Sequence, residues 1–168
     1  MRLFQRALLY TGLSLAMAAS ASTAFAEPPQ GAQKSSSATK LAQILDQSGY
    51  TFTKAADNVW VIPFKGKALT EFSVFITSVE DIVVIGAVVA EKKNMKVTPE
   101  MMQKLLRLTH NLDRVKIGFD DEEDLFVRVE VSARVLDTEE FKANTEQVAA
   151  AADEVFAAIK PFVTAAPK

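Results

Sequence analysis

The chain has 168 residues, 49% hydrophobic and 24% charged, with one histidine, no cysteine and a formal charge of −2. Such a composition is that of a globular protein, and its mildly acidic balance offers no electrostatic attraction for a phosphate backbone, which excludes nucleic acid as a partner. The missing thiols exclude disulfides and cysteine nucleophiles, and a single histidine cannot build a His-rich zinc site.

In chain order, Arg2 and Arg6 precede an apolar stretch over Ala7–Ala19 (ALLYTGLSLAMAA), and Ala24-Phe25-Ala26 places small residues at −3 and −1 of a cleavage point. This pattern predicts a secretory signal peptide over residues 1–26, too short and wrongly flanked to be a membrane anchor. The mature chain is then expected to begin at Glu27 and to be periplasmic, without stable membrane insertion. Losing the two arginines moves the formal charge from −2 to −4. Residues 27–38 (EPPQGAQKSSSA) are rich in Pro, Ser and Gln without apolar periodicity, and are expected to form a disordered leader. Residues 39–163 have the size of one domain with one core, and 164–168 are expected to be a flexible tail.

Thr39–Ser48 carries Leu41, Ile44 and Leu45 on one helical face, with Thr39 as expected N-cap and Gly49 as the stop. Strands are expected over Tyr50–Thr53, Val59–Phe64, Glu71–Thr77 and Ile82–Val89, with a turn at Asp57-Asn58. Pro63 has no N–H to donate, so its strand should lie at an edge or end there. The run Ile82–Val89 is apolar on both faces and predicts cover on both sides of the sheet. Thr98-Pro99-Glu100 opens a second helix with a capping threonine, a first-turn proline and an acid at the positive end of the dipole. Two strands follow, Val115–Phe119 and Leu125–Val135, the second strictly alternating. Asp137 caps a last helix with the apolar stripe Phe141, Val148, Ala152, Val155, Ile159 and Phe162, which Pro161 should end or bend. The order helix, four strands, helix, two strands, helix predicts an α+β fold with a mostly antiparallel sheet.

The run Asp120-Asp121-Glu122-Glu123-Asp124 is the place to look for chemistry. A calcium loop needs alternating oxygen ligands, a glycine and a late glutamate, and two glycosidase carboxylates must face each other across a cleft; the run has neither arrangement. Register explains it better. Val115, Ile117 and Phe119 share a face with Leu125, Val127 and Val129 only if 119 pairs with 125 and 117 with 127, which requires an odd loop with the acids at its tip. No serine lies in a Gly-x-Ser-x-Gly elbow, Lys65-Gly66-Lys67 is a turn and not a phosphate loop, and His110 near a helix end is expected to serve the last-turn carbonyls. No catalytic residue, metal ligand or cofactor is predicted.

Surface-forming candidates are apolar. Trp60, Ile62 and Phe64 share one side of their strand, and Phe75 and Phe126 each oppose the buried set of theirs. Side chains of this size are worth about 1.5–3 kcal/mol each when buried. With Met101 and Met102 of the middle helix they form the expected partner surface, unless a helix or the leader covers them.

Leu41–Phe52 (LAQILDQSGYTF), Leu105–Val131 (LLRLTHNLDRVKIGFDDEEDLFVRVEV) and Ala151–Phe162 (AADEVFAAIKPF) together give the chain a pattern that resembles the YbjN family, bacterial proteins named as sensory-transduction regulators. In that family a middle helix ends in an Asn-rich turn, here at Asn111, and leads to a hairpin and a long closing helix. The resemblance implies the fold of type III secretion chaperones and a non-enzymatic domain that binds other proteins, often as a homodimer. Those chaperones are cytoplasmic, so the signal peptide is a departure and speaks against a role in type III secretion itself. A periplasmic protein-binding or regulatory module is the reading that follows. A small-ligand or lipid carrier with a pocket between sheet and helices is the alternative, and a small hydrolase has no supporting motif.

Overall fold

The structure, a computed structural model, describes residues 31–164; the expected signal peptide lies outside them. Its elements are α1 (Gly31–Ser48), β1 (Thr53–Ala56), β2 (Val59–Phe64), β3 (Phe72–Val79), β4 (Ile82–Ala90), α2 (Pro99–Asn111), β5 (Lys116–Phe119), β6 (Leu125–Ser132) and α3 (Thr138–Ile159). The strands form one antiparallel sheet in the order β1-β2-β3-β4-β6-β5, the expected α+β architecture.

Several expected local signals are present. Gly49, with φ of 78°, takes the left-handed conformation that closes α1. The Thr98 hydroxyl accepts from the Met101 N–H at 3.2 Å, and the Asp137 carboxylate accepts from the Glu140 N–H at 2.8 Å, capping α2 and α3. Asn58 turns the β1–β2 hairpin at φ 58°, its amide exchanging hydrogen bonds with the Ser78 carbonyl and hydroxyl. Pro63 pairs with Ser73 of β3, but β1 reaches only to Val61, so the strand is locally an edge at the proline.

Three boundaries differ from expectation by three residues or more. Helix α1 starts at Gly31, so Thr39 lies inside it and residues 31–38 of the expected leader are helical; 27–30 lie outside the described residues. Extending a helix already packed through Leu41, Ile44 and Leu45 requires far less than nucleating one. The first strand lies at Thr53–Ala56, not Tyr50–Thr53. Tyr50 instead leaves α1 through a bond from its N–H to the Ser48 hydroxyl and sets its ring against Phe64 and Phe141. Strand β6 ends at Ser132, where the Val135 N–H turns back to the Ser132 carbonyl, and Val135 is exposed. Of the expected tail, Thr164 is tied to Asn94 by its N–H and its hydroxyl, both donating to the Asn94 carbonyl; 165–168 lie outside the described residues.

The core is the helical side of the sheet. Ile62, Val74, Ile76, Val83, Ile85, Ala87, Val127 and Val129 point into it, and α3 covers them with Phe141, Val148, Ala152, Val155 and Ile159. Helix α1 packs on α3 and β3, and α2 packs on α3 and β5.

Candidate functional site: an uncharged strip on the middle helix

The seven surface residues expected from sequence do not form one patch. Trp60, Ile62 and Met101 are buried in the core, a correction that follows from pairing: Trp60 lies opposite Ile76 and Ile62 opposite Val74, all on the helical side. Phe64 is half-buried, its ring stacked on Phe72 at 6.0 Å and tilted against Tyr50 at 5.9 Å. Burial, and then the neighbouring Glu146 carboxylate, pushes the Tyr50 phenol up to about 12. Met102 is half-buried on α2.

Phe75 and Phe126 do lie on the open face, and neither stands free. Phe75 pairs with Gly86, and its ring covers that glycine so closely that a Cβ there would sit 2.5 Å from the ring tip. Phe126 pairs with Gly118 and lies over it, with the Arg128 guanidinium 5.0 Å from the ring centroid. Glu130 joins Lys116 at 2.5 Å and Arg128 at 2.9 Å, and the Lys116 hydrogen bond in particular holds its carboxyl below the usual range. The cover expected on the second face of β4 is therefore supplied by side chains of the sheet itself, with Val84 and Val88 half-buried beside them. The signal was present in the sequence, in glycines directly opposite aromatics, but became readable only once the register was known.

The acidic run forms the hairpin tip that register required. Phe119 pairs with Leu125 and Ile117 with Val127, leaving residues 120–124 as the loop. One Asp120 carboxylate oxygen accepts from the N–H groups of Glu122 at 3.0 Å and Asp124 at 2.9 Å. Glu123, not an aspartate, takes the left-handed position at φ 62° and pairs with Lys92, while Asp124 accepts from the Lys92 N–H at 2.7 Å. The tip thereby fastens the β4–α2 connection. Among the described residues no group of three or more His, Asp or Glu side chains is arranged to hold a metal ion, and no helix is long and apolar enough to cross a membrane. His110 is exposed in the last turn of α2.

What remains is α2. Met101 and Leu105 are buried and Leu108 and Leu112 half-buried, a stripe that faces the core. Leu106 is turned about 100° from Leu105 and is 67% exposed, the highest value among the exposed large hydrophobics. Around it on the same helical face lie Pro99, Met102, Gln103, Thr109 and His110, none carrying a formal charge at neutral pH. The charged residues of the helix, Glu100, Lys104 and Arg107, lie on the far flank, with Glu100 and Lys104 paired at 3.9 Å. Val97, just before the helix, is 51% exposed. A smaller exposed set, Val79 and Ile82, pairs across the β3–β4 turn. Sequence reading placed Met102 on the expected partner surface and left Leu106 out of it; the available clue was that five apolar residues in a 13-residue helix, with Leu112 just beyond, exceed one buried stripe.

The C-terminal side of α2 is tied to α3. The Arg114 guanidinium meets Glu140 at 2.5 Å, holding that carboxyl below its usual range with help from Asn144, and the Gln147 amide donates to the Asp113 carbonyl at 2.6 Å. Lys104 lies 5.6 Å over the Phe162 ring.

Comparison with known proteins gives one family and a set of similar folds. Among curated proteins none matches the chain. A chain of the heterodimeric ExoU–SpcU complex, from the type III secretion system of Pseudomonas aeruginosa, is 14% identical with a TM-score of 0.52, covering 71% of this chain and 97% of that one. A chain of the ExsC–ExsE complex is 13% identical with a TM-score of 0.53, covering 74% and 94%. YbjN from E. coli, described as a putative transcription regulator, is 18% identical with a TM-score of 0.53, covering 75% and 94%. At these identities the likeness is one of fold, that of type III secretion chaperones. The family model described as "Putative bacterial sensory transduction regulator" matches residues 37–161, and the chain belongs to this family, YbjN.

Proposed function

We propose that this chain is a non-enzymatic, periplasmic regulatory module that binds a protein partner through the uncharged strip of α2 centred on Leu106. The observation that carries the reading is a leucine 67% exposed within a charge-free helical face of a folded domain. An exposed leucine beside Pro99 and Met102, set apart from the charged flank, offers the kind of apolar anchor that helix-in-groove recognition uses. Support comes also from the family and from the similar folds, two of which are described in complexes with partner proteins. The periplasmic assignment rests on Arg2, Arg6, Ala7–Ala19 and Ala24-Phe25-Ala26 alone. A carrier of small ligands or lipids is less well supported, because the sheet–helix junction is filled by side chains with no exposed surface, among them Leu45, Ile76, Ile85, Val148 and Ile159.

The test is in vivo crosslinking followed by purification from the periplasmic fraction, with the wild type beside Leu106→Glu. A partner adduct that the folded variant loses supports the reading. Adducts retained in full by Leu106→Glu, or a wild-type chain found only in the cytoplasm, would overturn the surface or the compartment respectively. Light scattering on the purified chain shows whether a second copy is the occupant, the homodimer that the family resemblance implies.

A further inference from the structure

The β2–β3 connection, residues 65–71, is held by a single carboxylate. Asp153 of α3 accepts from the backbone N–H groups of Ala68 at 2.8 Å and Leu69 at 2.7 Å through one oxygen, and the Lys67 N–H also points to it. The chain approaches so closely that a Cβ on Gly66 would lie 2.2 Å from the same oxygen, which is why a residue without a side chain stands there. Within the loop the Gly66 N–H donates to the Leu69 carbonyl at 2.9 Å, making a compact turn. Leu69 points inward and has no exposed surface. At the neck, Lys65 and Glu71 lie 3.9 Å apart, both side chains 82% exposed; a pair so open contributes little. Below the neck the strands end in the stacked rings of Phe64 and Phe72.

We propose that residues 65–71 are a flap latched to α3 by the Asp153 carboxylate, and that loss of its charge releases the flap and withdraws Leu69 from the core while the sheet stays folded. The flap is independent of the α2 surface and does not rest on the reading of function given above. Three donors converging on one carboxylate form a charge-assisted contact; beside it the loop has its internal turn, the weak neck pair and the buried Leu69 side chain, which the latch holds in place. Burial on its own would raise the Asp153 carboxyl; the N–H groups of Leu69, Ala68 and Lys67, with the Lys67 ammonium, more than offset it and hold it below the ordinary value. Lys67 is the charged side chain acting on it, Glu154 is its exposed neighbour on α3, and Lys65 and Glu71 are engaged with each other. A folded-state value below the unfolded one means that the latch is fully present above about pH 3.9 and is lost as pH falls through the folded value.

Amide NMR on the full-length chain between pH 7 and pH 2.5 tests this. The N–H signals of Lys67, Ala68 and Leu69 are expected to titrate with one shared midpoint below that of an ordinary aspartate. Below that midpoint their hydrogen exchange should rise while the amides of Ile85 and Val129, in central strands, stay protected. Asp153→Asn, close to isosteric, is expected to remove the shared titration and to raise loop exchange at pH 7 about tenfold, equivalent to about 1.4 kcal/mol of local opening. Loop amides without a common midpoint, loop and core losing protection at the same pH, or loop exchange unchanged in Asp153→Asn would each overturn the latch.

Discussion

Leu105 and Leu106 are consecutive residues of one helix, and the structure gives them opposite roles. Leu105 is 4% exposed and Leu106 67% exposed, so truncating each to alanine isolates the effect of position. Leu105→Ala removes a buried side chain and leaves a cavity, a change that costs about 2–4 kcal/mol. For a domain of roughly 130 residues the unfolding entropy is about 0.27 kcal/mol per degree, which converts the loss into a drop in Tm of about 7–15 °C. Leu106→Ala removes a side chain that keeps most of its surface in water, and surface changes of this kind stay within about 0.5 kcal/mol, or about 2 °C. Binding should follow the reverse order. Leu106→Ala should weaken partner capture at least about tenfold, as loss of a central apolar anchor does, with Tm unchanged. Differential scanning calorimetry on both variants, with binding measured on the partner recovered by crosslinking, reads both quantities. A Leu106→Ala Tm as low as that of Leu105→Ala would refute the placement of α2, and unaltered affinity would refute its role as the docking element.

Substitutions at three further supports of the fold extend the test. Asp120→Ala, which removes the oxygen serving two tip amides, should cost about 1–2 kcal/mol, whereas Asp121→Asn and Glu122→Gln should stay within about 0.5 kcal/mol; urea unfolding separates them. Asp137→Ala, which deletes the α3 cap, should cost about 1 kcal/mol by the same measurement. Gly86→Ala must lift the Phe75 ring from the sheet, and is expected to destabilise by about 1–3 kcal/mol, with the ring protons of Phe75 losing their restricted environment in NMR spectra.

Much of this architecture could be read from the residues because period-2 and period-3.6 patterns constrain it locally. The alternation after Asp124 required the pairing of 119 with 125, and the caps at Thr98 and Asp137 are written in the sequence at fixed offsets. What could not be read was which of two apolar strand faces the helices would cover. Trp60 and Ile62 alternate with Val59 and Val61, so β2 is apolar on both sides; only the pairing with Val74 and Ile76 decides between them. Nor could the start of α1 be read, since Gln33, Lys34 and Ser35–Ser37 offer no apolar stripe and their helix continues from turns packed further along. Leu106 was not among the expected partner-surface residues, because periodicity records which residues are apolar, and a helix carries more of them than its contact uses.

The two glycine–aromatic pairs bear on function more than their position suggests. A sheet with helices on one side has a second face to protect, and proteins commonly cover it with another layer or a partner. Here Phe75 on Gly86, Phe126 on Gly118 and the Lys116–Glu130–Arg128 ion group close that face from within. The sheet thus covers that face with its own side chains, and under the proposed function the binding of a partner falls to α2. Helix α2 buries Met101 and Leu105, caps its own first turn through Thr98, and is tied to α3 on its C-terminal side through Asp113 and Arg114. Binding segments are drawn from parts of a fold with low local stability, because they must adjust on association. Under the proposed function a partner engages Leu106 on the outer face of a helix tied to α3 at its C-terminal side, and leaves the sheet covered by its own side chains.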